Sequence, residues 1–272
     1  MTKKKIFLTV AILLIFVAVF GTGTSAFAYQ AETEIRYADA PMLSTYADET
    51  IYFTRKEVTL ENNTAGNCPA YSTISGLTNS CGAVAGAQIV AFYDKYFPNL
   101  IPGWTSHYTN GKYRAQDSTY VPALIRELYT LMRTNVDDVG VSESDFLNGL
   151  TSYVNGKGYQ IIYQSVKSGN AINLTQCVNA IDNNKVIALL VAPTNVYNLS
   201  ETSTYDTLTA FNIAGSHIMV AYGYLQFKYY NASGLFRTDT YLCVSTGKSD
   251  CPKAYYKIDS TATKSAYIVN VQ

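Results

Sequence analysis

The sequence predicts an α+β fold in two lobes, because helical periodicity fills residues 81–156 whereas short apolar and β-branched runs dominate beyond Gly158. Helices come first and an antiparallel sheet follows. No internal repeat and no low-complexity tract interrupts that order. At 272 residues the chain is long enough to bury a full core without disulfides.

The first element is an export signal. Lys3, Lys4 and Lys5 precede an apolar run from Ile6 to Phe20, and Ser25-Ala26-Phe27-Ala28 supplies the small residues of a cleavage site. Cleavage after Ala28 is expected to give a secreted or cell-surface protein of 244 residues with no membrane segment of its own. It would carry seventeen basic and twenty acidic residues, a net charge of −3, which disfavours a nucleic-acid partner. Residues 29–66 are polar, lack an apolar period and include the loop-like ENNTAG. They are expected to be a leader or propeptide-like arm ahead of a domain spanning 67–272.

The domain's first helix is expected to start at Cys81. Ala85, Ile89, Phe92 and Tyr96 recur at helical spacing, Gly86 and Ala87 leave room for close packing, and Pro98 stops the run. A second helix begins around Pro122 and carries the stripe Leu124, Ile125, Leu128, Leu131, Met132. A third follows Ser142-x-x-Asp145, which has the form of a capping box, and Gly156 closes it. The acids Asp137, Asp138, Glu143 and Asp145 lack the spacing and central glycine of a calcium loop, so a solvated turn is expected there. Strands are expected at 159–165, 186–192, 217–227, 240–246 and 254–259, with one short helix whose apolar face is Leu174, Cys177, Val178 and Ile181.

The chemistry rests on few residues. There are five cysteines, an odd number, so an exported chain keeps at least one thiol outside any internal pairing. Cys243 and Cys251 flank a turn and can close it as a disulfide, and Cys177 reads as a core thiol. Cys81 differs from these, because a thiol at a helix N-terminus meets free backbone N–H groups and the positive end of the helix dipole, which lower its pKa. Of two histidines, His217 opens an apolar strand in AGSHIMVAYGY, whereas His107 lies in the loop-like GWTSHYTNGKY. A strand-mounted imidazole facing a helix-mounted thiol is the arrangement of a general base beside a nucleophile. Neither zinc spacing nor a glycine-rich phosphate loop is present, so no metal, nucleotide or other cofactor is expected.

NSCGAVAGAQIVAFYD resembles the Cys-Gly-(Pro/Ala)-x-Ala opening of the catalytic helix in papain-like cysteine peptidases, nearest the branch related to double-glycine, bacteriocin-leader peptidases. GSHIMVAYGY resembles that branch's histidine strand, and NLTQCVNAIDNNKVIALLVAP its preceding helix and strand. The resemblance spans roughly residues 68–259. It implies a papain-like two-lobed fold, a helical lobe packing its catalytic helix on a C-terminal antiparallel sheet, with Cys81 as nucleophile and His217 as base.

Two family positions depart from the pattern. The oxyanion-binding glutamine falls at Ser75, with Asn79 nearby, and no glutamine occurs in 61–80. The Asn or Asp that orients the imidazole falls at Ser245, with Asp239 as the alternative. The implied activity is hydrolysis of a peptide or isopeptide bond in a peptide or protein substrate. Two other readings stay open: acyl transfer to an amine, and a non-catalytic secreted binding protein whose tyrosine-rich loops, such as 196–208, form the contact surface.

Overall fold

The computed structural model describes residues 33–36, 42–43, 50–59, 69–101, 119–169, 171–201, 206–231, 233–259 and 261–272, all within one compact unit that begins at Ala31. The expected signal peptide, Cys68 and His107 lie outside these residues. The helices are α1 (Cys81–Asp94), α2 (Tyr120–Leu131), α3 (Glu143–Gly156) and α4 (Leu174–Asp182). The strands are β1 (Thr33–Arg36), β2 (Met42–Leu43), β3 (Thr50–Thr59), β4 (Ile161–Ser165), β5 (Lys167–Ser168), β6 (Ala171–Ile172), β7 (Ile187–Val191), β8 (Thr194–Glu201), β9 (Asp206–Ile213), β10 (His217–Asn231), β11 (Gly234–Ser245), β12 (Lys253–Tyr256) and β13 (Thr263–Val271). The class is α+β: helices and an antiparallel sheet. No described helix is long and apolar enough to cross a membrane.

Helix α1 starts at Cys81, and every residue from Gly82 to Asp94 is buried. Such burial on all sides follows from a sequence that is apolar or small around the whole circumference rather than along one stripe. Gly86 is a genuine close approach, because a Cβ there would lie 2.8 Å from Met132 Cε. Ser142 caps α3 as its sequence implies, accepting from Asp145 N–H at 3.0 Å and donating to the Asp145 carboxylate at 2.7 Å. Tyrosine hydroxyls tie the buried ends together: Tyr93 on α1 donates to Val269 O of β13 at 2.6 Å, and Tyr153 on α3 donates to Leu100 O at 2.6 Å. These bonds let a large ring enter the core without stranding its polar tip.

Among the described residues, eleven strands form one sheet with the path β1-β9-β8-β12-β11-β10-β7-β13-β4, to which β3 adds beside β10 and β2 beside β3. Its centre is β10, which pairs with β7 over His217–Ala221 and with β3 over Gly223–Tyr230. The arm therefore contributes strands where its sequence shows no period of two. Pairing through main-chain N–H and C=O groups needs no apolar pattern, which is why composition hides β3.

Three further strands of this sheet depart from expectation, and β5 with β6 forms a separate two-stranded ribbon that was not expected either. Within 196–208, expected to form contact loops, residues 196–201 belong to β8 and 206–208 to β9, and among the described residues of that pair only Val196, Leu208 and Ile213 are buried. So little apolar content gives no strand signal. β13 was also not anticipated, although Ala266, Ile268, Val269 and Val271 are buried and it pairs with both β4 and β7. No disulfide joins Cys243 and Cys251; the Cys251 sulfur turns instead toward Asn198 Oδ1 of β8 at 3.4 Å. Cys177 is fully buried, and burial pushes its thiol up to about 12.

Candidate active site

The turn into α1 is built before the thiol is reached. Asn79 takes a left-handed φ of 53°, a conformation asparagine tolerates better than most residues, and Ser80 follows as N-cap. Three residues from α2 and the turn behind it hold this segment. Arg126 donates to Ser75 O at 3.2 Å, Tyr129 OH donates to Thr78 O at 3.1 Å, and Asn135 donates to Tyr129 OH at 2.6 Å and to Thr78 O at 3.2 Å. Asn135 Oδ1 also accepts from Asn79 Nδ2 at 3.0 Å and from Gly140 N–H at 2.7 Å. The entry to the helix is thus fixed by contacts from residues more than fifty positions away.

Cys81 and His217 line one cavity of about 730 Å³. The sulfur lies against the backbone N–H of Ile218, the residue after the histidine, and against the N–H groups of Gly82 and of Cys81 itself. Gly82 is required by the same close fit: a Cβ there would stand 2.6 Å from Val141 Cγ1 and 3.6 Å from Ile218 Cδ1. Burial pushes the Cys81 thiol above its ordinary value, against the lowering effect of those amides and of the Lys248 charge. Burial also pushes the His217 imidazole down, assisted by Lys248 and opposed by a hydrogen bond to Thr246. The helix terminus alone suggests a lowered thiol pKa. In the folded protein desolvation outweighs it, so the neutral thiol and neutral imidazole are favoured at rest.

The imidazole is oriented by main chain. His217 Nε2 lies 2.5 Å from the Thr246 carbonyl, and since a carbonyl oxygen only accepts, Nε2 carries the proton and Nδ1 is left as the basic nitrogen. Thr246 is itself fixed: its N–H donates to Pro252 O, its hydroxyl donates to Cys251 O, and Gly247 turns the chain away with a φ of 75°. Neither side chain expected in this role reaches the ring. Ser245 is fully buried and donates to Pro69 O at 3.1 Å. Asp239 pairs with Arg237 at 2.5 Å, six residues from Ser245 along β11 and hence about 20 Å away at strand spacing. Sequence reasoning looked for a side chain and missed a carbonyl one residue further on, which no residue type announces.

The expected oxyanion residues also separate. Ser75 is exposed and lies outside the cavity, because its carbonyl is held by Arg126. Asn79 lines the cavity but spends its amide on Asn135. Thr73, also at the cavity, accepts from Ser80 Oγ at 3.1 Å, which leaves its own hydroxyl proton to donate. Two lysines and a glutamate give the lining its charged side chains, namely Lys248, Lys264 and Glu143. Glu143 was read as part of a solvated turn. Both its oxygens instead accept from β13, one from Ser265 at 2.5 Å and one from Tyr267. Among the described residues no three His, Cys, Asp or Glu side chains cluster as metal ligands.

The chain matches no family model, no curated protein and no solved structure.

Proposed function

We propose that the protein is a secreted cysteine peptidase of papain-like architecture that hydrolyses a peptide or isopeptide bond through Cys81 and His217. The observation that carries this reading is the shared cavity, in which the Cys81 sulfur abuts the backbone of Ile218 while the adjacent His217 ring is held with Nδ1 unprotonated. In this reading a helix supplies the nucleophile, a strand the base and a turn the orienter.

Because burial favours the neutral pair, proton transfer accompanies attack rather than preceding it. The Cys81 thiol passes its proton to His217 Nδ1 as sulfur adds to the substrate carbonyl carbon. The oxyanion meets the N–H groups of Cys81 and Gly82 at the start of α1, and the Thr73 hydroxyl in the same cavity is a further donor. Collapse expels the amine, which takes the Nδ1 proton and leaves a thioester. Water then attacks with Nδ1 as base, releasing the carboxylic acid and restoring the thiol. Throughout, Thr246 O stabilises the imidazolium by accepting from Nε2.

Incubating the secreted protein with a peptide library and with a thiol-reactive peptide electrophile tests the reading. Cleavage and labelling at Cys81, both absent in Cys81→Ala and His217→Ala, support it. An unlabelled Cys81 and uncleaved peptides would sink it and favour the binding-protein reading.

A further inference from the structure

The charges in this cavity are unequal in number and in fixation. Each Glu143 oxygen accepts a hydrogen bond from β13, from Ser265 and from Tyr267, which holds the carboxylate at that strand. Lys248 is half-buried at the cavity wall and makes no ion pair among the described residues, and Lys264 Nζ meets only the Thr261 carbonyl, at 3.3 Å. The nearest acid in sequence to Lys248, Asp250, is exposed and does not line the cavity. With thiol and imidazole neutral, the cavity lining holds two lysines against one glutamate that is tied to β13, so its balance is positive. Lys248 lines the same cavity as Cys81 and His217, and its charge acts on both.

We propose that the cavity selects substrates bearing a carboxylate next to the scissile bond, with Lys248 as the principal specificity determinant and Lys264 as a second contact. A half-buried cation without a carboxylate partner gains more from an incoming anion than an exposed one does, because solvent screens it less. The carboxylate can belong to an acidic side chain or to a free C-terminus; the chemistry is the same, and the substrate decides between them. This inference rests on the hydrolase reading, but its first test does not require hydrolysis.

Cys81 is alkylated under reducing conditions with iodoacetate and, separately, with iodoacetamide, and modification of its own peptide is timed by mass spectrometry. In each reaction the thiolate sulfur displaces iodide and forms a thioether, so the two reagents differ only in charge. The iodoacetate-to-iodoacetamide rate ratio, normalised to a small neutral thiol, is expected to be about threefold to tenfold higher in the wild type. It should fall toward unity in Lys248→Gln, fall less in Lys264→Gln, and shrink in high salt. A ratio equal to that of the small thiol, a ratio unchanged by Lys248→Gln, or a Cys81 that neither reagent reaches overturns the proposal.

Peptide pairs differing as Glu against Gln beside the cleaved bond, and as free against amidated C-terminus, then identify which carboxylate is used. Cleavage of all of them at equal kcat/KM overturns the selectivity and leaves the hydrolase standing. No cleavage together with a high alkylation ratio removes the hydrolase and leaves an anion-selective thiol cavity.

Discussion

The two halves of β10 share a strand and differ in what surrounds them. From His217 to Ala221 the strand pairs with β7, lies under the start of α1, and buries Ile218, Met219, Val220 and Ala221 in succession. From Leu225 to Tyr230 it pairs with β3 and alternates, with Leu225, Phe227 and Tyr229 buried and Gln226, Lys228 and Tyr230 more open. A register shift between Ala221 and Gly223 separates the halves. The near half is covered on both faces and the far half on one, and it is the enclosed half that carries the candidate base. Enclosure excludes water and fixes a ring by main-chain contacts, which a half-exposed strand cannot do as firmly.

That contrast predicts where activity and stability part company. Cys81→Ala and His217→Ala should each lower kcat/KM by at least about 1000-fold while thermal unfolding shifts by only a few degrees. In the far half, proline at Lys56 or Glu57 should do the reverse. Successive strand N–H groups point to opposite sides, so one of the two variants removes a bond to β10 and should cost about 1–3 kcal/mol, with turnover changed less than twofold. Denaturant melts and steady-state kinetics on the same preparations check both. An activity loss in the proline variants comparable to that of His217→Ala would show that the halves are not separable.

The contrast also explains what could be read from sequence. HIMVAYGYLQF is apolar nearly throughout, so β10 was legible as far as Phe227, as were the buried α1 and the cap at Ser142; its last four residues, KYYN, carry too few apolar positions to extend that signal. Their partners were not. β3 carries Ile51, Tyr52 and Phe53 together and then Thr54-Arg55-Lys56-Glu57, which fits no strand period, yet its main chain pairs over eight residues. At the site, Cys81 and His217 are rare residue types in telling positions. The Thr246 carbonyl, the Asn135 clamp and the Thr73–Ser80 bond depend on backbone direction and on contacts between distant segments, which residue identity does not encode.

A smaller effect separates orientation from chemistry within the near half. Gly247 has a φ of 75° and a Cβ there would stand 3.3 Å from Val84 Cγ1, so Gly247→Ala strains the turn that presents Thr246 O to the imidazole. About 1–2 kcal/mol of strain is expected, and a ring held less firmly should lower kcat by about tenfold with KM little changed. Unchanged kcat together with reduced stability would mean the Thr246 contact is structural only.

The smallest effect concerns charge, and its sign is specific. Burial lowers the imidazole and raises the thiol, so kcat/KM should follow a broad bell whose acid limb lies below the ordinary imidazole range and whose alkaline limb lies above the ordinary thiol range. The two limbs are properties of the coupled pair. An ion pair at rest would arise instead if the thiol lost its proton more readily than the imidazolium, and burial acts against that. Lys248 disfavours the imidazolium and favours the thiolate, so removing its charge makes both groups hold protons more strongly. In Lys248→Gln both limbs should therefore move to higher pH, while Lys248→Arg keeps them in place. Substitutions in the far half, such as Lys228→Gln, should leave both limbs where they are. A limb that stays in place in Lys248→Gln would show that this charge acts on only one member of the pair, and equal shifts from Lys228→Gln would show that the near half is not electrically enclosed.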